Sequence, residues 1–279
     1  MTGKEIIIRR MNREDLDIAI EWAAQEGWNP GLHDADCFYA ADTQGFFLAE
    51  INGEPIGCIS AVAYDEKFGF MGFYIVRKDL RDQGIGLKLW NMAIDYMGDR
   101  TIGGDGVIDM LPKYEQQGFR IDYRNARYEG VGKYPSANLP GLESVPFAEL
   151  EQYDRRFFPA SRRAFLKMWM SRAGSLGRAA IVEGKLVGYG VIRPCHTGFK
   201  IAPLFADTPD MADELFTSLS SLAKDGPYFL DIPMCNPAAR KLVDRYDMKM
   251  VFETARIYKG SVPQLPLQDI YGITSFELG

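Results

Sequence analysis

Short apolar runs punctuated by glycine, asparagine and charged clusters mark out the chain as far as Gly130. Ile6 to Arg9 reads as a strand, after which Asn12 is an N-cap and Leu16, Ile18, Ile20 and Trp22 begin a helix that Gly27 ends. Trp28-Asn29-Pro30-Gly31 then forms a turn-rich connection. Gly45 to Ile51 and Pro55 to Tyr64 are two strands, and the Asn52-Gly53 pair between them is a strong hairpin signal. Gly69 to Val76 predicts another strand, followed by a polar, glycine-bearing turn from Arg81 to Gly86. Leu87 to Met97 carries a helical stripe of Leu89, Trp90, Ala93, Ile94 and Met97. Val107 to Met110 reads as a short buried strand, Pro112 to Gln117 as one or two helical turns, and Phe119 to Tyr128 as a closing strand.

Beyond Gly130 the pattern loosens into Gly132, Pro135, Ser136, Asn138, Pro140 and Gly141, a linker composition. The rest of the chain repeats the first half. Gly53-Glu54-Pro55-Ile56-Gly57 is answered by Gly184-Lys185-Leu186-Val187-Gly188. Gly118-Phe119 is answered by Asp247-Met248, and Asn125-Ala126-Arg127 by Thr254-Ala255-Arg256, all at nearly the same spacing. The expected organisation is two copies of one α/β unit, residues 1–132 and 145–279, joined by a linker over 133–144. A length of 279 residues agrees with two domains of about 150 residues each.

With 47% hydrophobic and 25% charged residues, the chain has the composition of an ordinary globular protein. The net charge of −6 opposes nucleic acid and anionic membranes as partners. No apolar run approaches the roughly 18 residues of a membrane helix, and the start, MTGKEIIIRRMNRED, turns charged too soon for a signal peptide. The expected compartment is therefore the cytoplasm. Cys37, Cys58, Cys195 and Cys235 form no CxxC pair, and His33 and His196 have no further ligand at metal-helix spacing, so no metal is expected.

The turn Arg81-Asp82-Gln83-Gly84-Ile85-Gly86 lies between a strand and a helix. Its glycines let the backbone approach a ligand, and the positive end of the helix stands behind them, which suits a pyrophosphate. Neither GxxxxGK[ST] nor the spacing GxGxxG is present. Here the sequence resembles the GNAT N-acetyltransferase superfamily. Arg81, Gly84 and Gly86 match its Arg/Gln-x-x-Gly-x-Gly/Ala pattern, Phe73-Tyr74-Ile75-Val76 its preceding strand, and Tyr114 with Gly118-Phe119 its later Tyr and Gly-Phe. Two departures are Asp82, where many members carry glycine, and the lack of the asparagine that often opens the helix before the tyrosine.

The resemblance implies tandem GNAT-like domains, each a mixed, mostly antiparallel sheet flanked by helices. It also implies acetyl-coenzyme A as donor and a small-molecule or peptide amine as acceptor. The donor's pantetheine would pair with the backbone of Tyr74, Ile75 and Val76, in the splay between that strand and Val107 to Met110. Arg81, Asp82, Gln83, Gly84, Ile85 and Gly86 would hold its pyrophosphate. Tyr114 would protonate the leaving thiolate, and a backbone N–H near Tyr74 would receive the developing oxyanion. Asp109 is the first choice of base, with Asp65 and Glu66 near by, and Trp28, Asn29 and Asp65 would shape the acceptor pocket. In the second copy Ala206-Asp207-Thr208-Pro209-Asp210 stands where the phosphate turn should be, and Val243 where the tyrosine should be, so that copy is expected to be degenerate. Arg162 and Arg163 form a basic patch that reads first as a solvated helix face and second as a site for an acidic substrate group. The rival to an enzyme is an acyl-coenzyme A sensor without turnover.

Overall fold

The two hairpin turns adopt the same left-handed geometry. Asn52 and Gly53 have φ of 53° and 78°, and Glu183 and Gly184 have φ of 49° and 76°. Two successive residues at positive φ make the tight hairpin turn whose twist matches the strands it joins. The computed structural model describes residues 5–279 apart from 133, 136–137 and 224–225. Ser136 of the linker and the first four residues of the charged start lie outside the described residues.

The first half runs β1 (Ile6–Arg10), α1 (Asp15–Gln25), α2 (Asp34–Ala41), β2 (Phe46–Ile51), β3 (Glu54–Ala63), β4 (Phe68–Val76), α3 (Ile85–Met97), β5 (Thr101–Val107), α4 (Leu111–Gln116) and β6 (Arg120–Gly130). The second runs α5 (Phe147–Asp154), α6 (Arg163–Ser171), β7 (Leu176–Val182), β8 (Lys185–Pro194), β9 (Phe199–Ala206), α7 (Pro209–Ser220), β10 (Tyr228–Pro233), α8 (Pro237–Arg245), β11 (Lys249–Lys259) and β12 (Ile270–Gly272). Two expectations are corrected. The strand expected over Val107 to Met110 ends at Val107, and Ile108–Met110 is a 3-10 turn, its helical course continued by Pro112 near the start of α4. The connection after Gly27 contains a further helix, α2, whose eight residues are too few to show a helical period.

Asn12 does act at the start of α1, though three residues ahead of it. Its side chain accepts from the Asp15 N–H at 2.9 Å while the Asp15 carboxylate accepts from the Asn12 N–H at 2.8 Å. That reciprocal pair satisfies an otherwise orphan helix donor.

All described strands join one mixed, mostly antiparallel sheet in the order β1-β2-β3-β4-β5-β11-β6-β10-β9-β8-β7, with β12 beside β9. The closing strands are exchanged: β11 pairs with β5 of the first half, and β6 with β10 of the second. At the centre β6 and β11 pair antiparallel, with Asn125 opposite Thr254. These are the positions that the internal repeat makes equivalent, so a local two-fold axis passes between them. Neighbouring residues obey it, Arg124 facing Ala255 and Ala126 facing Glu253. Each half thus completes the sheet of the other, as in a domain-swapped pair held on one chain.

The two faces of the sheet bury separate cores. Phe46 and Leu48 of β2 join a cluster with α1, α2, α5 and α6, whereas Phe47 and Ala49 point into one built on α3. The first cluster spans both halves, with the Phe38 ring stacked on Trp169 at 6.1 Å. Trp169 is buried and donates to the Ala202 carbonyl at 3.0 Å, which makes it part of that core.

Candidate active site

β4 and β5 are parallel and pair only from Phe68 to Met71 against Thr101 to Gly104. Beyond Gly72 they part, because Phe73 takes a left-handed φ of 45° and the β3–β4 ladder slips between Cys58 and Ser60. A bulge of this kind bends its strand and re-aims the side chains. The splay opens a cavity of about 420 Å³.

One end of the cavity is the glycine turn. Gly84, at φ 79°, caps α3, and its Cβ position meets nothing within 4 Å, so the N-terminus of a 13-residue helix is open to a ligand. A Cβ on Gly86 would lie 2.6 Å from the Tyr74 hydroxyl, so glycine lets the helix approach β4. Asp82 is exposed and sits at φ 62°, the left-handed region that explains why glycine is common at this position in the resembling pattern. Arg81 donates to the Val76 carbonyl at 3.0 Å and to Glu26 at 2.8 Å, which ties the turn to β4 and to the end of α1.

The other end is aromatic. The Tyr114 ring stacks on Trp90 at 5.7 Å, and glycine at 106 is what admits it: a Cβ there would lie 2.8 Å from the ring. Burial, and then the neighbouring Tyr74 phenol, push the Tyr114 hydroxyl well above its ordinary range, so it stays protonated.

Of the residues singled out in the sequence, Trp28, Tyr74, Val76, Arg81, Asp82, Gly84, Gly86 and Tyr114 line this cavity. Ile75 and Ile85 face the two cores instead, and Gln83 is exposed in the turn. Four candidates fall elsewhere. Asp109 is exposed on the 3-10 turn, because the strand it was expected to end has already stopped. Asp65 accepts from the N–H groups of Lys67 and Phe68, each at 2.8 Å, as the cap of the β3–β4 turn, and Glu66 is exposed in that same turn. Asn29 exchanges two hydrogen bonds with the backbone of Thr197, at 2.9 and 3.0 Å, and so clasps the halves together. The Arg162 and Arg163 patch is also corrected: Arg162 is buried on Asp154 at 2.6 Å, and Arg163 pairs with Glu151.

The second half contributes walls that the sequence does not disclose. Phe252, Thr254 and Ile257 of the exchanged strand β11, and Phe276 and Glu277 of the C-terminal segment, line the same cavity. Asp105 of β5 lines it too, its carboxylate held by Arg256 of β11 at 2.8 and 2.9 Å and by Asn125 at 2.8 Å. The repeated Asn-Ala-Arg and Thr-Ala-Arg triplets are the available signal, since they carry Arg127 and Arg256. Only the strand exchange shows which carboxylates those arginines meet.

The corresponding splay of the second half is filled by the chain itself. β9 and β10 pair only from Phe199 to Ile201 against Tyr228 to Leu230. Beyond that, β12 lies on β9, and the Ile273 N–H donates to the Asp231 carbonyl of β10 at 2.9 Å. Asp207 is taken by the Tyr153 hydroxyl at 2.8 Å and by Arg156 at 2.9 Å, and Val243 is buried.

Comparison with known proteins agrees with this architecture. Residues 13–118 match the profile of the acetyltransferase (GNAT) family, and residues 150–272 match an acetyltransferase (GNAT) domain. Holothin acyltransferase of a Pseudoalteromonas species is 28% identical over 270 residues, spanning 95% of this chain and 92% of that protein. A Pyrococcus horikoshii structure described as a candidate acetyltransferase superposes with a TM-score of 0.84 at 22% identity, covering 100% of this chain and 98% of the other. A tandem GNAT protein from the clavulanic acid biosynthesis pathway superposes with a TM-score of 0.64 at 12% identity, covering 93% of this chain and 100% of its own. No helix among the described residues is long and apolar enough to cross a membrane. With a GNAT profile on each half and the splayed, glycine-capped cavity between β4 and β5, the chain belongs to the GNAT family of acyl-CoA-dependent N-acetyltransferases.

Proposed function

We propose that the first-half cavity moves an acetyl group from acetyl-coenzyme A to a primary amine by direct attack within a ternary complex. The observation that carries this reading is the single continuous cavity running from the open N-terminus of α3 to the Tyr114 ring. The backbone N–H groups of Gln83 to Gly86 would hold the pyrophosphate, where the helix end adds a fixed positive potential. The edge of β4 from Tyr74 to Val76, freed by the bulge at Phe73, would pair with the pantetheine. Coenzyme A brings an activated acyl group as its thioester. Backbone N–H groups at the bulge would meet the oxyanion, and Tyr114, kept protonated by burial, would give its proton to the leaving sulfur.

Calorimetric titration with coenzyme A should give one equivalent per chain, since β12 fills the second splay. Thiol release from acetyl-coenzyme A across a panel of amines should show turnover. Two equivalents would overturn the single-site reading, and binding without thiol release from any amine would make the protein a sensor. The name of the Pseudoalteromonas relative speaks of acyl transfer, so longer acyl donors belong in the same assay.

A further inference from the structure

We propose that Glu277 is the proton acceptor for the incoming amine and that the acceptor carries its amino group on an apolar or aromatic body. This rests on the acetyl-transfer reading above and concerns the acceptor end of the same cavity.

Glu277 reaches the cavity because the second half sends its last described segment across the first. After β12 the chain is pinned at several points. The Tyr64 hydroxyl donates to the Leu278 carbonyl at 2.9 Å, the Leu278 N–H donates to Ser275 Oγ at 3.0 Å, and Arg162 donates to the Gly279 carbonyl at 3.3 Å. The pinned backbone lies against Gly72, where β4 leaves β5. Any Cβ at Gly72 would collide with the Glu277 carbonyl, so the glycine admits the segment. Glu277 is 3% exposed and lines the cavity, and its Oε1 meets no hydrogen-bond partner among the described residues. A buried carboxyl oxygen without a donor is costly unless a ligand supplies one.

The other carboxylates of the cavity are engaged or distant from this end. Asp105 is held by Arg256 and Asn125, Glu26 by Arg81, and Asp82 is exposed at the glycine turn. The walls of the same cavity include Trp28, Phe73, Phe252 and Phe276, with the buried Thr254 hydroxyl, which meets no partner among the described residues, as a further polar group. Such walls bury an apolar body well and leave a polyamine's additional charges unsolvated. Burial pushes the Glu277 carboxyl up, while Lys200 and Arg127, then Arg193, pull it back and Asp34 pushes it up again. The outcome is a carboxyl raised above its ordinary value, which makes it a better proton acceptor than an unshifted one.

The chemistry balances. The ammonium gives one proton to Glu277, which passes it to solvent. The neutral nitrogen forms the C–N bond as the C–S bond breaks with its electron pair on sulfur. The thiolate takes the Tyr114 proton, and the second nitrogen proton restores the phenol. The products are the amide, the free thiol and one released proton.

The test uses the full chain, acetyl-coenzyme A and thiol release with phenethylamine, tryptamine, aniline, spermidine and a lysine peptide. Phenethylamine or tryptamine should exceed spermidine and the peptide at least tenfold in kcat/KM. Glu277→Gln should lower kcat with phenethylamine by about 10², leave the coenzyme A Kd within twofold, and affect aniline, already neutral at pH 7, far less. An effect under threefold on phenethylamine overturns the base. Preference for spermidine or the peptide, or turnover of none of the five with coenzyme A bound, overturns the acceptor class. Should the variant fail to fold, the wild-type pH profile decides: kcat at saturating phenethylamine should level off above a single ionisation that lies higher than the ordinary carboxylate range and fall on its acid side, whereas a climb continuing through the alkaline range assigns deprotonation to solvent. Failure to bind coenzyme A at all refutes the acetyl-transfer reading itself, and this inference with it.

Discussion

Among the described residues, Tyr114 is positioned by packing, its hydroxyl making no side-chain hydrogen bond. Its ring lies between Trp90 and the space left by Gly106, and burial rather than any hydrogen bond accounts for most of the shift in its hydroxyl. Removing the oxygen therefore disturbs little of the fold. Tyr114→Phe should lower kcat by about 10² or more while the coenzyme A Kd and the melting temperature stay near wild type. A kcat within threefold of wild type would make the residue packing only. The placement of Tyr114 in the cavity is legible because a tyrosine four residues before Gly-Phe is a local pattern. Asp109 is a poor guide to the base for a related reason: sequence proximity to a strand end says nothing about where a side chain points once the strand stops three residues early.

The N-terminus of α3 is where, on the proposed reading, one element would hold the pyrophosphate. Gly84 sits at φ 79° with open space beyond it, so an aspartate is accommodated sterically and incurs only the modest left-handed strain that Asp tolerates better than most residues. Its charge, however, would stand at the closest approach of a pyrophosphate. Gly84→Asp should weaken coenzyme A at least tenfold, about 1.4 kcal/mol, in a protein that melts close to wild type. Unchanged affinity by calorimetry would remove the phosphate from this turn. The equivalent element of the second half, α7, shows the contrast. Thr208 caps it by accepting from the Met211 N–H at 3.3 Å, and Asp207 before it is already paired. The two turns are distinguishable in the sequence, since two carboxylates and no glycine repel an anion whatever the tertiary structure.

Two buried ion pairs related by the local two-fold axis tie the whole molecule together. Arg256 of β11 meets Asp105 of β5 at 2.8 Å, and Arg127 of β6 meets Asp231 of β10 at 2.6 and 2.7 Å. Each pair joins an exchanged strand to the other half, and each is desolvated. Removing one partner strands a buried charge, so Asp231→Ala should cost about 3–5 kcal/mol in chemical denaturation, against about 0–1 kcal/mol for an exposed pair. Burial pushes Asp231 up, but Arg127 and Lys200 outweigh it and hold the carboxyl below its ordinary value; Arg193 and Arg172 do the same for Asp34. A depressed folded-state value means the unfolded chain binds more protons. The stabilisation is complete above the unfolded pKa near 4 and drains away as pH falls through the folded value. The melting temperature should therefore fall steeply below about pH 4, and Asp231→Asn should flatten that fall. The exchange also predicts the fate of a truncated chain. Residues 1–135 lack β11, which leaves the facing edges of β5 and β6 unpaired and Asp105 buried without Arg256. That fragment should aggregate or fail to bind coenzyme A, whereas a soluble, ligand-binding fragment would show that β6 can take the place of β11.

Features that depend on residues close together in the chain are already written in its order of amino acids. The hairpins follow from their left-handed turns, the open turn before α3 from Gly84 and Gly86 ahead of a helix, and the repeat from the matched Asn-Ala-Arg and Thr-Ala-Arg triplets. The degenerate chemistry of the second half follows from Asp207, Asp210 and Val243. Strand partnership is another matter. β6 and β11 carry equivalent residues, so either satisfies the local pattern beside β5, and the choice turns on packing and on ion pairs between residues remote from each other in the chain. The same holds for the acceptor end of the cavity. Glu277 and Gly72 stand in opposite halves of the chain, and only the path of β12 through the second splay, the clasp at Tyr64 and the missing side chain at Gly72 bring the Glu277 carboxyl to the site.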